Sequence, residues 1–175
     1  MNDFGTIRES RSSDLDALMK LYPAAFPDED LRPIVRSLLS DEIDVLSLVA
    51  TKNDTVVGHV AFTPCTAGES EAPVAMLAPL CVSPSLHKQG IGSALVRQGF
   101  QQLREKKIPH VTVLGDPAYY HRFGFRPDKT IAPPYPMEAE WVDAWQSMSL
   151  IDTAVPPTGQ INVPDLWKRA ELWQL

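Results

Sequence analysis

The run LCVSPSLHKQGIGSALVRQGF, residues 80 to 100, sets Gly90 and Gly92 at the mouth of a helical pattern, just behind His87, Lys88 and Gln89. A helix start leaves backbone N–H groups without partners and carries partial positive charge. Glycine lets an anion approach those groups with no Cβ in the way. With Lys88 as a cation and His87 as a hydrogen-bonding group, the chemistry on offer is the cradling of a phosphate or pyrophosphate. The alternative is that the two glycines only permit close packing where a strand turns into a helix. A Walker A loop would need GxxxxGK[ST], and a dinucleotide fingerprint would need a third small residue after Gly90-Ile91-Gly92; the sequence has neither.

Other residues with chemical potential lie apart from this run. VTVLGDPAYYHRFGF, residues 111 to 125, reads as a buried strand over Val111 to Leu114, then a short helix over Asp116 to Phe123. Asp116 is its cap, Pro117 takes the first position, where proline is tolerated, and Gly124 ends it. Asp28, Glu29, Asp30 and His59 are the acid–base candidates elsewhere. Trp141, Trp145 and Trp167 read as core or interface aromatics rather than walls of a cleft.

The elements that must position these residues follow from periodicity. A strand over Gly5 to Glu9 leads to a helix opened by a capping box of Ser13 and Asp16, with Leu15, Leu18, Met19 and Tyr22 at helical spacing. Pro23 and Pro27 break it. A second helix covers about Asp28 to Leu39, its acidic start favoured by the helix dipole. A hairpin follows: Leu46 to Thr51, a turn at Asn53-Asp54, then Val56 to Cys65. Val74 to Val82 is another strand. Pro79 inside it removes a ladder donor and marks an edge, a bulge or a departure from a neighbour.

Gly90 to about Lys107 is the clearest helix. At about 100° per residue, Ile91, Gly92, Leu95, Val96, Gly99, Phe100 and Leu103 share one side, opposite Ser93, Arg97, Gln101, Arg104 and Glu105. After Pro127 prolines multiply, around a strand over residues 141 to 150 and a short terminal helix in DLWKRAELWQL. The order β-α-α-β-β-β-α-β-α-β is that of a mixed α/β domain.

The 175 residues suit a single domain, with a core at about 6–127 and an irregular Pro-rich region at about 128–175. The net charge of -6 argues against nucleic acid as a partner, which needs a basic surface. Cys65 and Cys81 have no zinc or CxxC spacing and read as free buried thiols. The polar start MNDFGTIRES has no signal core, and no apolar run would span a membrane. A cytoplasmic protein is expected.

Together, HKQGIG and LGDPAYYHRFGF resemble the GNAT superfamily of N-acetyltransferases, and in particular a bacterial branch with an LGDPAYYxRFGF signature. The resemblance runs from about Thr6 to Phe125, and includes Gly58 in the hairpin. It implies the GNAT, or acyl-CoA N-acyltransferase, fold: a mixed central sheet with a splayed strand pair, flanked by helices. It implies acetyl-CoA as co-substrate, no metal, and transfer of the acetyl group to a small-molecule or peptide amine by direct attack in a ternary complex. The pyrophosphate would sit on the loop from His87 through Lys88, Gln89, Gly90, Ile91 and Gly92 to Ser93. The pantetheine arm would pair with Leu80, Cys81 and Val82, near Pro79.

Tyr120, four residues before the glycine of GF, takes the place of the acid that protonates the departing thiolate. A phenol with pKa near ~10 is protonated at neutral pH and can donate. Asp116 and Tyr119 join the cofactor-binding set, though the residues alone read as a cap and as packing or a substrate-side wall. Two departures stand out. His87 occupies the first position of [QR]xxGx[GA], and the strand Val74 to Val82 lacks the acid some members use as a base. The second departure keeps a non-catalytic acyl-CoA-binding regulator as a rival. An acyltransferase with another donor or an O-acceptor is the other, and a homodimer is left open.

Overall fold

A computed structural model describes residues 5–40 and 42–174. The polar start over residues 1–4 and the final Leu175 of the tail lie outside the described residues. The chain forms two compact units, Met1–Thr63 with Ala78–Gln101, and Pro64–Leu77 with Gln102–Leu175.

The first unit begins with β1 (Thr6–Glu9), α1 (Leu15–Ala25) and α2 (Arg32–Leu39). The hairpin β2 (Leu46–Lys52) and β3 (Thr55–Ala67) follows, then β4 (Ala72–Val82) and α3 (Ile91–Glu105). Both strands of the β3–β4 pair run on into the second unit. β1 pairs antiparallel with β2, from Thr6↔Thr51 to Glu9↔Leu48, and β2 pairs antiparallel with β3, from Leu46↔Phe62 to Lys52↔Thr55. The β2–β3 turn is the expected one: Asn53 and Asp54 both have positive φ, 50° and 61°, the turn whose twist matches the strands.

Alternation along the strands sends residues to opposite faces. Val49 and Cys81 join Leu18, Leu21, Tyr22 and Val35 in a cluster under α1 and α2. Gly58 and Phe62 meet α3 instead, at Ile91, Leu95 and Gly99. With helices on both faces, Leu46 to Ala50 are all buried, and apart from the hydrogen-bonded Ser47 the run is apolar rather than alternating. The buried face of α3 is the one expected from the sequence, from Ile91 to Leu103.

Three expectations for this region are corrected. The cap before α1 is not Ser13 with Asp16. A 3-10 turn covers Ser12–Asp14, and Asp14 accepts from the Arg11 N–H at 2.7 Å. Asp14 also holds Arg8 of β1 through two bonds of 2.8 and 2.9 Å, so its carboxylate is worth more as a β1–α1 tie than as a cap. Pro23 lies inside α1; it is exposed, the helix ends two residues on at Ala25, and Phe26 N–H closes it onto the Tyr22 carbonyl at 2.8 Å. Finally, α2 starts at Arg32, not Asp28. Pro33, which has no N–H to give, belongs in a first turn and so sets the start.

The second unit takes the turn-proximal parts of β3 and β4, then β5 (His110–Leu114), α4 (Pro117–Tyr120), β6 (Arg126–Pro127), β7 (Ile131–Ala132), β8 (Trp145–Ser149) and β9 (Gly159–Asn162). β4 runs parallel to β5, from Ala75↔Val111 to Leu77↔Val113, while β8 is antiparallel to β5 and to β6. The pairing is therefore mixed, as expected. β4 then continues from Ala78 to Val82, the stretch holding Pro79.

The Pro-rich region is more ordered than its composition suggests. β9 pairs with β3 at Thr66↔Asn162 and with β7 at Ile131↔Gly159. Residues 141–144, expected in a strand, belong to a 3-10 turn over Ala139–Ala144, and the tail holds two more, Asp165–Trp167 and Ala170–Trp173. Trp145, Trp167 and Trp173 are buried. Trp145 Nε1 donates to the Ile131 carbonyl at 2.8 Å and Trp173 Nε1 to the Trp167 carbonyl at 2.9 Å. All three are core aromatics, and the Trp145 and Trp173 donors are satisfied; Trp141, by contrast, is exposed.

Candidate functional site

The glycine loop keeps its exposed backbone in an unusual shape. After β4, Ser83 N–H donates to the Val57 carbonyl at 2.8 Å, and a 3-10 turn covers Pro84–Leu86. His87 is extended, then Lys88 and Gly90 are both left-handed, with φ of 63° and 84°. Left-handed residues in such short succession curl backbone N–H groups into the kind of concavity that takes anions. The first intrahelical bond of α3 is Ala94 N–H to the Gly90 carbonyl, at 3.0 Å. The N–H groups of Ile91, Gly92 and Ser93 therefore have no carbonyl of their own helix to bond.

The packing alternative can be weighed at Gly58, Gly90 and Gly99. A Cβ on Gly99 would stand 2.1 Å from the Phe62 ring, and one on Gly58 would stand 3.0 Å from Leu95 and 3.1 Å from Ile91. Close packing of α3 on β3 is thus served by Gly58 and Gly99. Around Gly90 an added Cβ would meet nothing within 4 Å. Close packing therefore does not explain Gly90, whose left-handed φ favours glycine and whose exposed backbone is open to an anion.

The second motif folds as expected and lies in the second unit. Asp116 caps α4 by accepting from Ala118 N–H at 2.9 Å, a 3-10 turn covers His121–Phe123, and Gly124 is left-handed. Tyr120 is half-buried, packed edge-on against Tyr119 (5.0 Å between centroids) and Phe125 (5.7 Å). A Cβ on Gly115 would stand 2.4 Å from its ring. Burial, and then Tyr119, push the Tyr120 phenol above its usual range, so it stays protonated and able to donate. Tyr119 lies under the Arg122 guanidinium, 4.3 Å from ring centroid to Cζ.

Residues 15–125 match the model of the Acetyltransferase (GNAT) family. The chain belongs to that family. The uncharacterised N-acetyltransferase YjhQ of Escherichia coli K12 is 36% identical over 167 residues, covering 91% of this chain and 92% of that one. Two solved structures are similar along nearly the whole chain. The GNAT-family N-acetyltransferase YhbS from Escherichia coli, in complex with CoA, has a TM-score of 0.85 and 30% identity, covering 94% of this chain and 92% of that one. A GNAT-family acetyltransferase from Brucella melitensis, in complex with acetyl-CoA, has a TM-score of 0.74 and 29% identity, covering 93% and 97%.

In this GNAT chain the acid–base candidates of the first unit sort by surroundings. His59 is fully buried. Its Nδ1 stands 2.6 Å from the Tyr22 hydroxyl and its Nε2 2.8 Å from Ser47 Oγ, and Ser10 Oγ donates to Ser47 Oγ at 2.7 Å. Burial, only partly offset by Asp14, pushes the imidazole down to about 4. His59 is therefore a neutral core residue in a satisfied network, not a base for the reaction. Its partners Tyr22 and Ser47 are not legible in the sequence, because their hydroxyls lie among apolar neighbours.

Asp28, Glu29 and Asp30 are exposed and border a depression of about 230 Å³ together with Pro23, Phe26, Pro27 and Arg32. The Asp30 carboxylate accepts from Arg32 Nε at 2.7 Å and from its backbone N–H at 3.2 Å. These bonds keep it ionised below the usual carboxylate range, which makes it a poor proton acceptor. Cys65 and Cys81 are buried and not joined in a disulfide, and burial pushes both thiols up to about 12.

Proposed function

We propose that the chain transfers the acetyl group of acetyl-CoA to a small-molecule or peptide primary amine, by direct attack in a ternary complex. The open space at Gly90 carries this reading: it fits the residues present to an anion that must reach backbone N–H groups. When bound, acetyl-CoA supplies an acetyl thioester ready for transfer. The backbone from Lys88 to Ser93 holds the pyrophosphate, with the Lys88 charge beside it. The backbone of Leu80, Cys81 and Val82 takes the pantetheine arm as an added strand. What supports this is that the β4–β5 register ends at Leu77↔Val113 while β4 itself goes on to Val82. A backbone N–H of the same segment polarises the thioester carbonyl.

Tyr120 donates the proton to the departing thiolate, an assignment resting on its place in the LGDPAYYHRFGF motif and on its protonated state. Asp116 and Tyr119 stay in the cofactor-binding set on the motif alone. A thiol held near 12 is no nucleophile at neutral pH, so direct attack is favoured over an acyl-Cys81 intermediate. The acceptor amine gives its proton to solvent, since the strand from Ala72 to Val82 offers no acid and His59 is engaged. Two cysteines that form no disulfide fit a reducing, cytoplasmic setting.

The test is release of free CoA, followed with a thiol reagent across a panel of amines, beside calorimetry of CoA binding. Turnover on at least one amine is expected. Gly90→Glu, which places bulk and negative charge in the open space, is expected to abolish CoA binding. Tight CoA binding without turnover on any amine would favour the regulator, and undiminished binding by Gly90→Glu would sink the cradle.

A further inference from the structure

We infer that His87 is a positioning residue whose imidazole straps the glycine loop to the end of β4, holding the Lys88–Ser93 backbone in the shape that takes a pyrophosphate. The inference rests on the acetyl-CoA reading above. His87 Nε2 lies 3.0 Å from the carbonyl oxygen of Val82, five positions back. A carbonyl only accepts, so Nε2 carries the hydrogen and donates it.

The bond closes the loop at the point where it most needs support. Its first residue is fixed by Ser83 N–H on the Val57 carbonyl, and its 3-10 turn by Leu86 N–H on the Ser83 carbonyl at 2.9 Å. From His87 to Gly90 every residue is exposed, and Lys88, directly after the strap, sits at φ 63°, where L residues are disfavoured. Without a tie at this point the segment would spread over other conformations, and binding would have to restore the ordered one. A carbonyl oxygen has two lone pairs, so the strap does not bar a ligand N–H from Val82. The departure from [QR] then has a chemical sense: Gln, Arg and the Nε2–H form of His all present an N–H donor at the end of a side chain.

The experiment measures calorimetric affinity for CoA and for pantetheine, which lacks the phosphates, in wild type, His87→Leu and His87→Gln. His87→Leu is expected to weaken CoA binding about three- to tenfold, the worth of one hydrogen bond, and to leave pantetheine affinity unmoved. His87→Gln is expected to restore CoA affinity to within about twofold of wild type. In turnover the loss falls on KM for acetyl-CoA rather than on kcat. Wild-type affinity in His87→Leu, tighter binding, an equal loss for pantetheine, or no rescue by Gln would each overturn the strap. Failure of the wild type itself to bind CoA would overturn the acetyl-CoA reading, and the strap with it.

Discussion

His59 shows at the level of one residue how the surroundings decide a role that type alone leaves open. A histidine on a hairpin near an acidic segment could be a base, but this one has both nitrogens engaged and no exposure. Its signature is thermodynamic. With a folded value of about 4 against 6.5 for a free imidazole, the unfolded chain binds a proton between those limits that the folded chain does not. Stability is therefore full above pH 6.5 and falls as pH drops toward 4, by up to about 3 kcal/mol. Asp14, held low by Arg8, adds its loss only further down, below 3.8. Urea unfolding at pH 7 and pH 4.5 checks this, and equal stability at the two would contradict it. Tyr120 makes the opposite case, since its assigned role is chemical. Tyr120→Phe keeps the ring that packs on Phe125 and Gly115 and removes only the donor. It should lower kcat about 100-fold with CoA affinity within about twofold. An unchanged kcat would take Tyr120 out of the mechanism.

Element by element, what the sequence disclosed is what depends on neighbours in the chain. Asn53-Asp54 announces its turn, and the buried side of α3 is written in a 3.6 period, because both signals are local. The passage from β4 through an exposed loop into α3 at Gly90 was legible for the same reason. The start of α2 is also a local signal, set by Pro33, although the acidic run 28–30 imitates a helix start. The 3-10 turns of residues 139–173 were not legible, because they are set by where Trp145, Trp167 and Trp173 find partners distant in sequence. Which glycine does which job was equally hidden, since Gly90, left-handed just before α3, and Gly99, inside it, are told apart only by backbone conformation and by what faces them. That difference predicts two opposite phenotypes. Gly99→Ala gains helix propensity, about 1 kcal/mol, but forces a methyl to within 2.1 Å of the Phe62 ring. Overpacking should win, with a net loss of about 1–2 kcal/mol and CoA affinity kept. Thermal melts beside calorimetry decide it; a more stable Gly99→Ala would show that the Phe62 ring yields freely, and a lost CoA affinity would show that the packing end of α3 reaches the loop.

For the whole chain the open question is whether binding at the loop is felt by all of it. β3 and β4 each run through both compact units: β3 pairs with β2 as far as Phe62 and with β9 at Thr66, and β4 pairs with β5 up to Leu77 and then goes on to Val82. Unfolding one unit alone would have to stop part-way along β3 and β4, inside a strand rather than in a loop. We therefore expect one cooperative thermal transition rather than two. A ligand that binds only the native chain adds about 2.7 kcal/mol at a hundred times its Kd, which for a domain of this size raises Tm by about 5–10 °C. Scanning calorimetry with and without CoA should show a single peak that moves as a whole, and no shift in Gly90→Glu. Two peaks, with CoA moving just one, would mean that the shared hairpin does not couple the units and that each unfolds on its own terms.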